Sequence, residues 1–177
     1  MMIRFRTAVV ADIDGIMEME YDSFHEEVRE KKELFLERIQ VFPEGFIIME
    51  IEEKYAGYIT SELWNFKEYR ERRDFMINHS IKKCHDYKGK ELYITSFAVK
   101  SEYRGKNYGE LMFEYFMDEM KEKYSPNCIS LIVAQRWEKA VDIYIKNGFK
   151  IVELFENFLE DVELHKNFIF MRKTELE

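Results

Sequence analysis

Residues 91–135 contain an apolar strand, a glycine-bearing turn, an amphipathic helix and a second apolar strand in direct succession. ELYITSFAV at 91–99 is apolar on both faces, which is typical of a buried central strand. It runs into KSEYRGKNYG, and from Gly109 to Tyr124 apolar residues recur at helical spacing. SPN stops this helix before CISLIVAQ. Because two strands joined by such a crossover lie parallel in one sheet, the order predicts a mixed α/β fold.

The flanking segments predict further strands and helices. Asp12 is expected to cap the first helix of the chain, and the second helix should end before Pro43. A further short helix, after the second apolar strand, should end at Asn147 and Gly148. FIIMEI and YAGYITSELW read as a hairpin around EEKY. Strands are also predicted at the start of the chain and near its end, in the segments IRFRTAVV, FKIVELF and NFIFMRK.

The composition predicts one globular domain over residues 1–177. Hydrophobic residues make up 46% of the chain, so a core can form without disulfides. Cys84 and Cys128 stand in a chain that opens without a signal-like segment, which predicts a cytoplasmic location. No apolar run is long enough to span a bilayer, and the net charge of −8 disfavours nucleic-acid binding. We therefore expect neither a membrane nor a nucleic acid as partner.

Residues 65–90, called the basic insert below, carry eight Lys and Arg residues against four Asp and Glu residues. The insert is therefore +4 and the rest of the chain −12. A charged helix followed by a loop is expected here. A solvated helix face and a binding patch explain such a charge run about equally well, so both interpretations stay open.

The segment Arg104 to Gly109 carries the strongest chemical signal. Glycines let backbone N–H groups approach a bound anion, and the following helix adds unpaired first-turn donors and the positive end of its dipole. Neither the dinucleotide glycine pattern nor the Gly-Lys-Ser/Thr motif of nucleotide triphosphatases is present. The turn predicts a pyrophosphate site, and the alternative is a plain strand-to-helix connection.

The run from Ser96 to Gly109, together with Tyr144 to Phe149, resembles the GNAT superfamily of N-acetyltransferases. The resemblance implies a central, mostly antiparallel twisted sheet of about seven strands flanked by about four helices. It implies acetyl-CoA as cosubstrate, a primary amine of a small molecule or peptide as acceptor, and direct attack. The backbone of Phe97, Ala98 and Val99 would then contact the pantetheine arm. The pyrophosphate would lie on the turn formed by Arg104, Gly105, Lys106, Asn107, Tyr108 and Gly109.

Two positions depart from the pattern of that superfamily. Asn107 replaces its middle glycine, and asparagine enters left-handed backbone conformations more readily than most residues. Asn107 and Glu110 also match an Asn-x-x-Glu helix start, in which the asparagine side chain would occupy the amides that a phosphate needs. Trp137 replaces an asparagine found in many members.

Tyr144, four residues before Gly148, matches a tyrosine that commonly protonates the departing thiolate in the superfamily. A phenol within hydrogen-bond reach can perform that step. The alternative is that Tyr144 only packs in the core with Val141 and Ile145. With the phosphate turn upstream, the acid role is the favoured interpretation.

No general base can be assigned from the sequence. Some branches of the superfamily place a base where Tyr93 stands, and Tyr93 is no carboxylate. Glu62 or Glu91 could accept a proton through water, although glutamates at strand edges are usually solvated. Because no base is assigned, a non-catalytic acyl-CoA sensor or interaction module is the alternative to an enzyme.

His79, Cys84 and His85 can each ligate zinc, but no fourth ligand follows at a recognised spacing. We therefore expect no metal. A homodimer is one of the assemblies that we expect.

Overall fold

The computed structural model describes residues 2–160 and 162–176. It contains a seven-stranded sheet in the order β1-β2-β3-β4-β5-β7-β6. The strands are β1 (Ile3–Thr7), β2 (Phe46–Ile51), β3 (Lys54–Trp64), β4 (Glu91–Val99), β5 (Cys128–Ala134), β6 (Lys150–Phe155) and β7 (Phe168–Lys173). Only β4 and β5 pair in parallel, and every other neighbouring pair is antiparallel. The predicted crossover and the mostly antiparallel mixed sheet are confirmed.

Four α-helices flank this sheet: α1 (Ile13–Ser23), α2 (Lys32–Val41), α3 (Tyr108–Tyr124) and α4 (Glu138–Lys146). The prediction that Asp12 caps α1 is wrong for its side chain, which makes no capping hydrogen bond. The Asp12 carboxylate instead accepts two bonds of 2.7 Å from Arg6 and one of 2.8 Å from Tyr55. None of the helices in the described ranges has the length and apolar character needed to cross a membrane.

The helices cover opposite faces of the sheet because the strand side chains alternate. Ile47 and Met49 of β2 pack with α3, whose buried face includes Phe113 and Phe116. The neighbouring residue Ile48 points the other way and packs in a second cluster with α1 and α2. Both faces of the central strands are therefore buried, as their continuous apolar sequences predict.

β4 and β5 separate in the middle of the sheet. They pair only from Glu91–Cys128 to Ile94–Leu131. Beyond Ile94, β4 stays with β3 as far as Val99, while β5 stays with β7 as far as Ala134. One edge of the second half of β4 therefore carries backbone groups that no neighbouring strand pairs.

A β-bulge lies where this separation begins. Thr60 of β3 pairs with Ser96 and Ser61 pairs with Ile94, so Thr95 is an extra residue on β4. Such a bulge bends its strand and changes the direction of its side chains. The Thr95 hydroxyl contacts that of Thr60, and the Ser96 hydroxyl lies 3.0 Å from that of Tyr58. Since Tyr58 and Thr60 share one face of β3, two consecutive β4 hydroxyls point to the α1–α2 side.

The expectation of a helix in the basic insert is wrong. Residues 65–90 contain two short 3-10 turns, Arg72–Phe75 and Ile81–Lys83, and no α-helix. Their side chains serve separate tertiary contacts: Arg70 donates to Glu91, and Phe75 packs on Tyr93 and Phe170. Because these contacts lie in different directions, no single helical face could make them.

Candidate active site

A cavity of about 830 Å³ occupies the gap between β4 and β5. This volume is in the range of small-molecule and cofactor sites. Its walls include the second half of β4, the end of β5 and one side of α4. One end reaches the turn before α3, and the other reaches Glu30, Arg38 and His79. The predicted anion site and several titratable groups therefore border one continuous space.

The turn at residues 104–109 offers unpaired backbone donors at one end of this cavity. Within α3, the Leu111 amide donates to the Asn107 carbonyl at 3.1 Å. Within the described ranges, no acceptor meets the amides of Gly105, Lys106, Asn107, Gly109 or Glu110. Free amides at the start of a 17-residue helix form a suitable site for a phosphate group.

The local backbone explains why this turn is open. Gly105 has a φ of +73°, and a Cβ placed there would meet nothing within 4 Å. Asn107 takes the left-handed conformation at φ 62° and makes no side-chain capping bond. The alternative in which its side chain occupies the helix amides is therefore wrong. Asparagine adopts this left-handed conformation more readily than most residues other than glycine.

The two basic residues of the turn differ in position. Arg104 lines the cavity, and its Nε donates to the Val99 carbonyl at 2.7 Å, which ties the turn to the end of β4. Lys106 is not among the lining residues, and its Nζ donates to the Glu102 carbonyl at 3.3 Å. Phe97, Ala98, Val99, Tyr108 and Gly109 also line the cavity. All the predicted cofactor residues except Lys106 thus border this space.

Tyr144 of α4 lines the same cavity and packs against Phe113 and Phe149. Burial raises the pKa of its phenol above the ordinary value. No described residue hydrogen-bonds its hydroxyl. Tyr144 is therefore a core aromatic and a protonated cavity residue at once, so the two interpretations drawn from the sequence are not exclusive.

A buried ionic network borders the far end of the cavity. The Arg38 guanidinium donates to both carboxylate oxygens of Glu30, at 2.9 and 2.5 Å. The Arg38 Nε lies 3.9 Å from Glu62, which is wholly buried and accepts bonds from His79, Trp64 and Cys84. Burial alone would raise the pKa of Glu62, but the His79 bond and charge lower it.

His79 faces the cavity but has no free ring nitrogen. Its Nε2 lies 2.8 Å from a Glu62 oxygen and its Nδ1 lies 2.8 Å from the Met76 carbonyl. Burial would lower its pKa, but the Glu62 carboxylate outweighs that effect and raises it. Two acceptors on one ring favour the imidazolium form, which has no lone pair to accept a proton.

The two glutamates considered as bases are not solvated. Glu62 and Glu91 are both fully buried. Glu91 accepts bonds from Arg70 at 2.9 Å, Ser130 at 2.7 Å and Arg172 at 3.0 Å, and it does not line the cavity. Burial would raise its pKa, but Arg70 and Ser130 lower it. Glu91 therefore joins the basic insert, β5 and β7.

The three residues weighed as metal ligands separate in the structure. His79 and Cys84 meet around Glu62, whereas His85 Nδ1 accepts a bond from the Leu63 amide at 3.1 Å. His25, Glu27 and His165 form a second group of possible ligand atoms within the described ranges. The expectation of a reaction without metal stays a prediction.

Residues 13–149 match the acetyltransferase (GNAT) family. The chain belongs to this family. The match covers both helices next to the cavity and the strands that separate around it. As an N-acetyltransferase, the protein is an enzyme, so the non-catalytic alternative is not supported.

Similar proteins agree with this assignment. An N-alpha-acetyltransferase of Sulfurisphaera tokodaii is 26% identical over 161 residues, which cover 90% of this chain and 87% of that protein. The loading GNATL domain of CurA from Lyngbya majuscula superposes with a TM-score of 0.83 at 13% identity and covers 98% of each chain. Arabidopsis thaliana Naa50, solved with the bisubstrate analogue CoA-Ac-MVNAL, gives 0.72 at 19% identity and covers 97% of each chain. At these identities the structural likenesses establish the fold alone, and they confirm the predicted GNAT fold.

Sequence reasoning assigned no individual role to three polar residues of this acetyltransferase: Glu20, Tyr58 and Ser96. One signal was available, because Glu20 follows Ile16 and Met17 at helical spacing and so lies on the apolar face of α1. A charged residue at such a position is expected to be buried and paired. Its partners lie on β3 and β4, far away in sequence, and no local pattern connects them.

Proposed function

We propose that this enzyme transfers the acetyl group of acetyl-CoA to a primary amine by direct attack. The observation that carries this proposal is that free turn amides, unpaired β4 backbone and the Tyr144 phenol all border one cavity. That cavity continues past the sheet to the buried charged groups. A cosubstrate and an acceptor can therefore meet within it from opposite ends.

The residues present fit a coenzyme A ester. The amides of Gly105 and Gly109 and the positive end of α3 would hold the pyrophosphate, and Arg104 would add charge. On the open edge of β4, the backbone groups of Phe97 and Val99 would bind the pantetheine arm by hydrogen bonds, while those of Ala98 between them pair with β3. Backbone donors on the same edge would stabilise the oxyanion that forms during attack.

Tyr144 is proposed as the acid that protonates the leaving thiolate. Its raised pKa keeps the phenol protonated at neutral pH, and its hydroxyl has no competing partner among the described residues. Tyr144→Phe keeps the packing against Phe113 and Phe149 and removes only the proton donor. We expect kcat to fall about 10²-fold with little change in the affinity for coenzyme A. Equal kcat in the parent and the variant would show that Tyr144 only packs in the core.

The α-amino group of a peptide or protein is the acceptor class that we propose. The relative from Sulfurisphaera tokodaii is named an N-alpha-acetyltransferase, and the Naa50 complex contains an analogue that joins coenzyme A to a peptide. Phe24, Val28 and Met76 line the far part of the cavity and offer an apolar wall for a first side chain. Small-molecule amines remain alternatives that the same assay covers.

The test uses the full chain, acetyl-CoA and four acceptors: a lysine-free peptide with a free α-amine, an N-terminally blocked peptide with one lysine, spermidine and glutamate. Free thiol release measures turnover, and mass spectrometry locates the acetyl group. We expect the free α-amine peptide to give the highest kcat/KM. Thiol release without any acetylated amine would contradict amine transfer, and preference for the blocked peptide would contradict the acceptor class.

A further inference from the structure

A chain of three hydrogen-bonded side chains leads from the cavity to a carboxylate buried behind the sheet. Ser96 lines the cavity on β4, and its Oγ lies 3.0 Å from the Tyr58 hydroxyl of β3. The Tyr58 hydroxyl in turn donates to Glu20 Oε2 on α1. Tyr58 is fully buried and Glu20 is 1% exposed. Ser96 is therefore the member of this chain that an acceptor can reach.

The donors of this chain point in one direction. Glu20 Oε1 accepts the Glu30 amide at 2.8 Å, and Oε2 accepts the Tyr58 hydroxyl. Since the Tyr58 proton points to Glu20, the Tyr58 oxygen is left to accept the Ser96 proton. The Ser96 oxygen then has a lone pair free for a donor in the cavity. Each proton is already placed for transfer toward Glu20.

We propose that Ser96, Tyr58 and Glu20 form a relay that removes the proton from the attacking amine. This inference rests on the proposed acetyl transfer. As the amine nitrogen bonds the acetyl carbon, its proton passes to Ser96 Oγ, the Ser96 proton passes to Tyr58, and the Tyr58 proton passes to Glu20. Ser96 and Tyr58 end as neutral hydroxyls, and Glu20 ends as a carboxylic acid. The C–S bond breaks, and the thiolate takes its proton separately.

The charges around Glu20 suit a proton acceptor. Burial raises the pKa of its carboxyl to about 7, against the hydrogen bonds from Tyr58 and the Glu30 amide, which lower it. The Glu30 carboxylate, from the segment before α2, raises it further, and Arg38 of α2 lowers it. A base with a pKa near the working pH transfers protons most effectively. After product release, the proton leaves through Ser96 to water in the cavity.

The other titratable groups at this end of the cavity are already engaged. Both carboxylate oxygens of Glu30 accept hydrogen bonds from Arg38, and both ring nitrogens of His79 lie within hydrogen-bond distance of an acceptor. Tyr93 stacks on Trp64 with ring centroids 3.9 Å apart, and burial raises the pKa of its phenol well above the ordinary value. At this end of the cavity, and within the described ranges, the route through Ser96 is therefore the one that leads to a carboxylate of suitable basicity.

The experiment measures kcat against pH at saturating acetyl-CoA and saturating free α-amine peptide. In the parent, kcat should rise as the pH passes about 7. Glu20→Gln should lower kcat at pH 8 by about 10²-fold and remove this rise, since the amide cannot accept the proton. Tyr58→Phe should do the same by cutting the relay, with Glu20 still in place. The KM for acetyl-CoA should stay within about twofold, because neither residue borders the coenzyme end.

Tyr55→Phe is the matched control. Its hydroxyl also donates to a carboxylate, that of Asp12, at 2.8 Å, but the hydrogen-bond partners of this pair, Arg6 and Val9, do not line the cavity. The control should keep the parent kcat and pH profile. Thermal melting of each variant checks folding, and Ser96→Ala, at the cavity wall, replaces any variant that does not fold.

Two failures of this experiment can be told apart. Parent-like kcat and pH dependence in the folded relay variants would overturn the relay while leaving acetyl transfer intact. Absence of any acetylated product from the parent would overturn the proposed function, and the relay with it.

Discussion

Glu20 is the residue whose charge conflicts most with its surroundings. Its carboxyl is 1% exposed, and burial raises its pKa to about 7 from an ordinary 4.5. A folded-state pKa raised above the unfolded value stabilises the fold below the unfolded pKa. That stability is lost as the pH rises from about 4.5 through about 7, where the folded protein ionises. Glu20 therefore weakens the fold at the pH where a base is useful.

Glu20→Gln should accordingly be more stable than the parent at pH 8. The glutamine amide keeps the shape, its oxygen can accept the Glu30 amide while its NH2 group donates to the Tyr58 oxygen, and it carries no buried charge. We expect a gain of roughly 3 kcal/mol in the free energy of unfolding at pH 8 and little difference at pH 4. Urea unfolding at both pH values measures this.

Glu18→Gln is the control on the same helix, because Glu18 is exposed and pairs with Lys100 at the surface. It should change stability by less than about 0.5 kcal/mol at either pH. A Glu20→Gln variant that is less stable than the parent at pH 8 would show that its carboxylate is net stabilising.

Single residues were the hardest feature to predict from the sequence. Tyr144 and the turn residues could be found because a short, local pattern contains them. Glu62 and Glu91 were expected to be solvated, and this was wrong because His79, Arg70 and Arg172 reach them from distant segments. The hydroxyl of Ser96 points toward Tyr58 only because the bulge at Thr95 changes the alternation of β4.

The turn before α3 is the element on which coenzyme binding is expected to depend. Coenzyme A at about 100 times its dissociation constant should stabilise the parent by about 2.7 kcal/mol. Gly109→Glu should remove that stabilisation, because a carboxylate would occupy the anion site. The variant should still fold, since a Cβ at Gly109 meets Val99 and Phe97 at 3.6 and 3.7 Å, which is ordinary contact. Thermal melting with and without coenzyme A measures the effect.

Gly109→Gln separates charge from size. The glutamine side chain has the shape of glutamate without the negative charge, so coenzyme A should still stabilise this variant in part. If Gly109→Glu binds coenzyme A as well as the parent does, the pyrophosphate does not lie at this turn.

The basic insert is held to the sheet by a buried ion pair rather than by helical packing. Arg70 and Glu91 are both buried, and Arg172 also donates to Glu91. Arg70→Ala should lower the free energy of unfolding by about 3 kcal/mol, since a buried carboxylate loses one of its two cations. Urea unfolding tests this against Arg73→Ala, which removes an exposed pair with Glu71 and should cost less than about 1 kcal/mol. Equal effects of the two substitutions would contradict this account of the insert.

The regular elements could be predicted because their periodicity is local. The strands and helices around the crossover follow apolar spacings that one face of a helix or strand imposes. The basic insert has no such spacing, since Arg70, Phe75 and His79 each contact a different element. Its charge run suggested a helix, but long-range partners determine its path.

At the scale of the whole molecule, the −8 net charge divides into +4 on the basic insert and −12 on the rest of the chain. Several cations of the basic insert are paired with acids: Arg70 with Glu91, Lys67 with Asp74 and Lys82 with Glu37. At the far end of the cavity Glu30 pairs with Arg38, and the carboxylates of Glu20 and Glu62 lie buried behind the cavity wall. Pairing with these acids reduces the repulsion that the charge of the insert would exert on a cationic acceptor.

Electrostatic steering by the net negative charge should favour acceptors that carry positive charges in addition to the reacting amine. Two peptides with the same first residue and a free α-amine, one followed by lysines and one by glutamates, test this at about 0.01 and 0.15 M salt. The screening length falls from about 30 to about 8 Å between these concentrations, so long-range attraction is largely lost. We expect kcat/KM for the lysine peptide to exceed that for the glutamate peptide at low salt, and the ratio to shrink as salt is added. A preference for the glutamate peptide, or a lysine preference that salt leaves unchanged, would show that contacts inside the cavity rather than net charge select the acceptor.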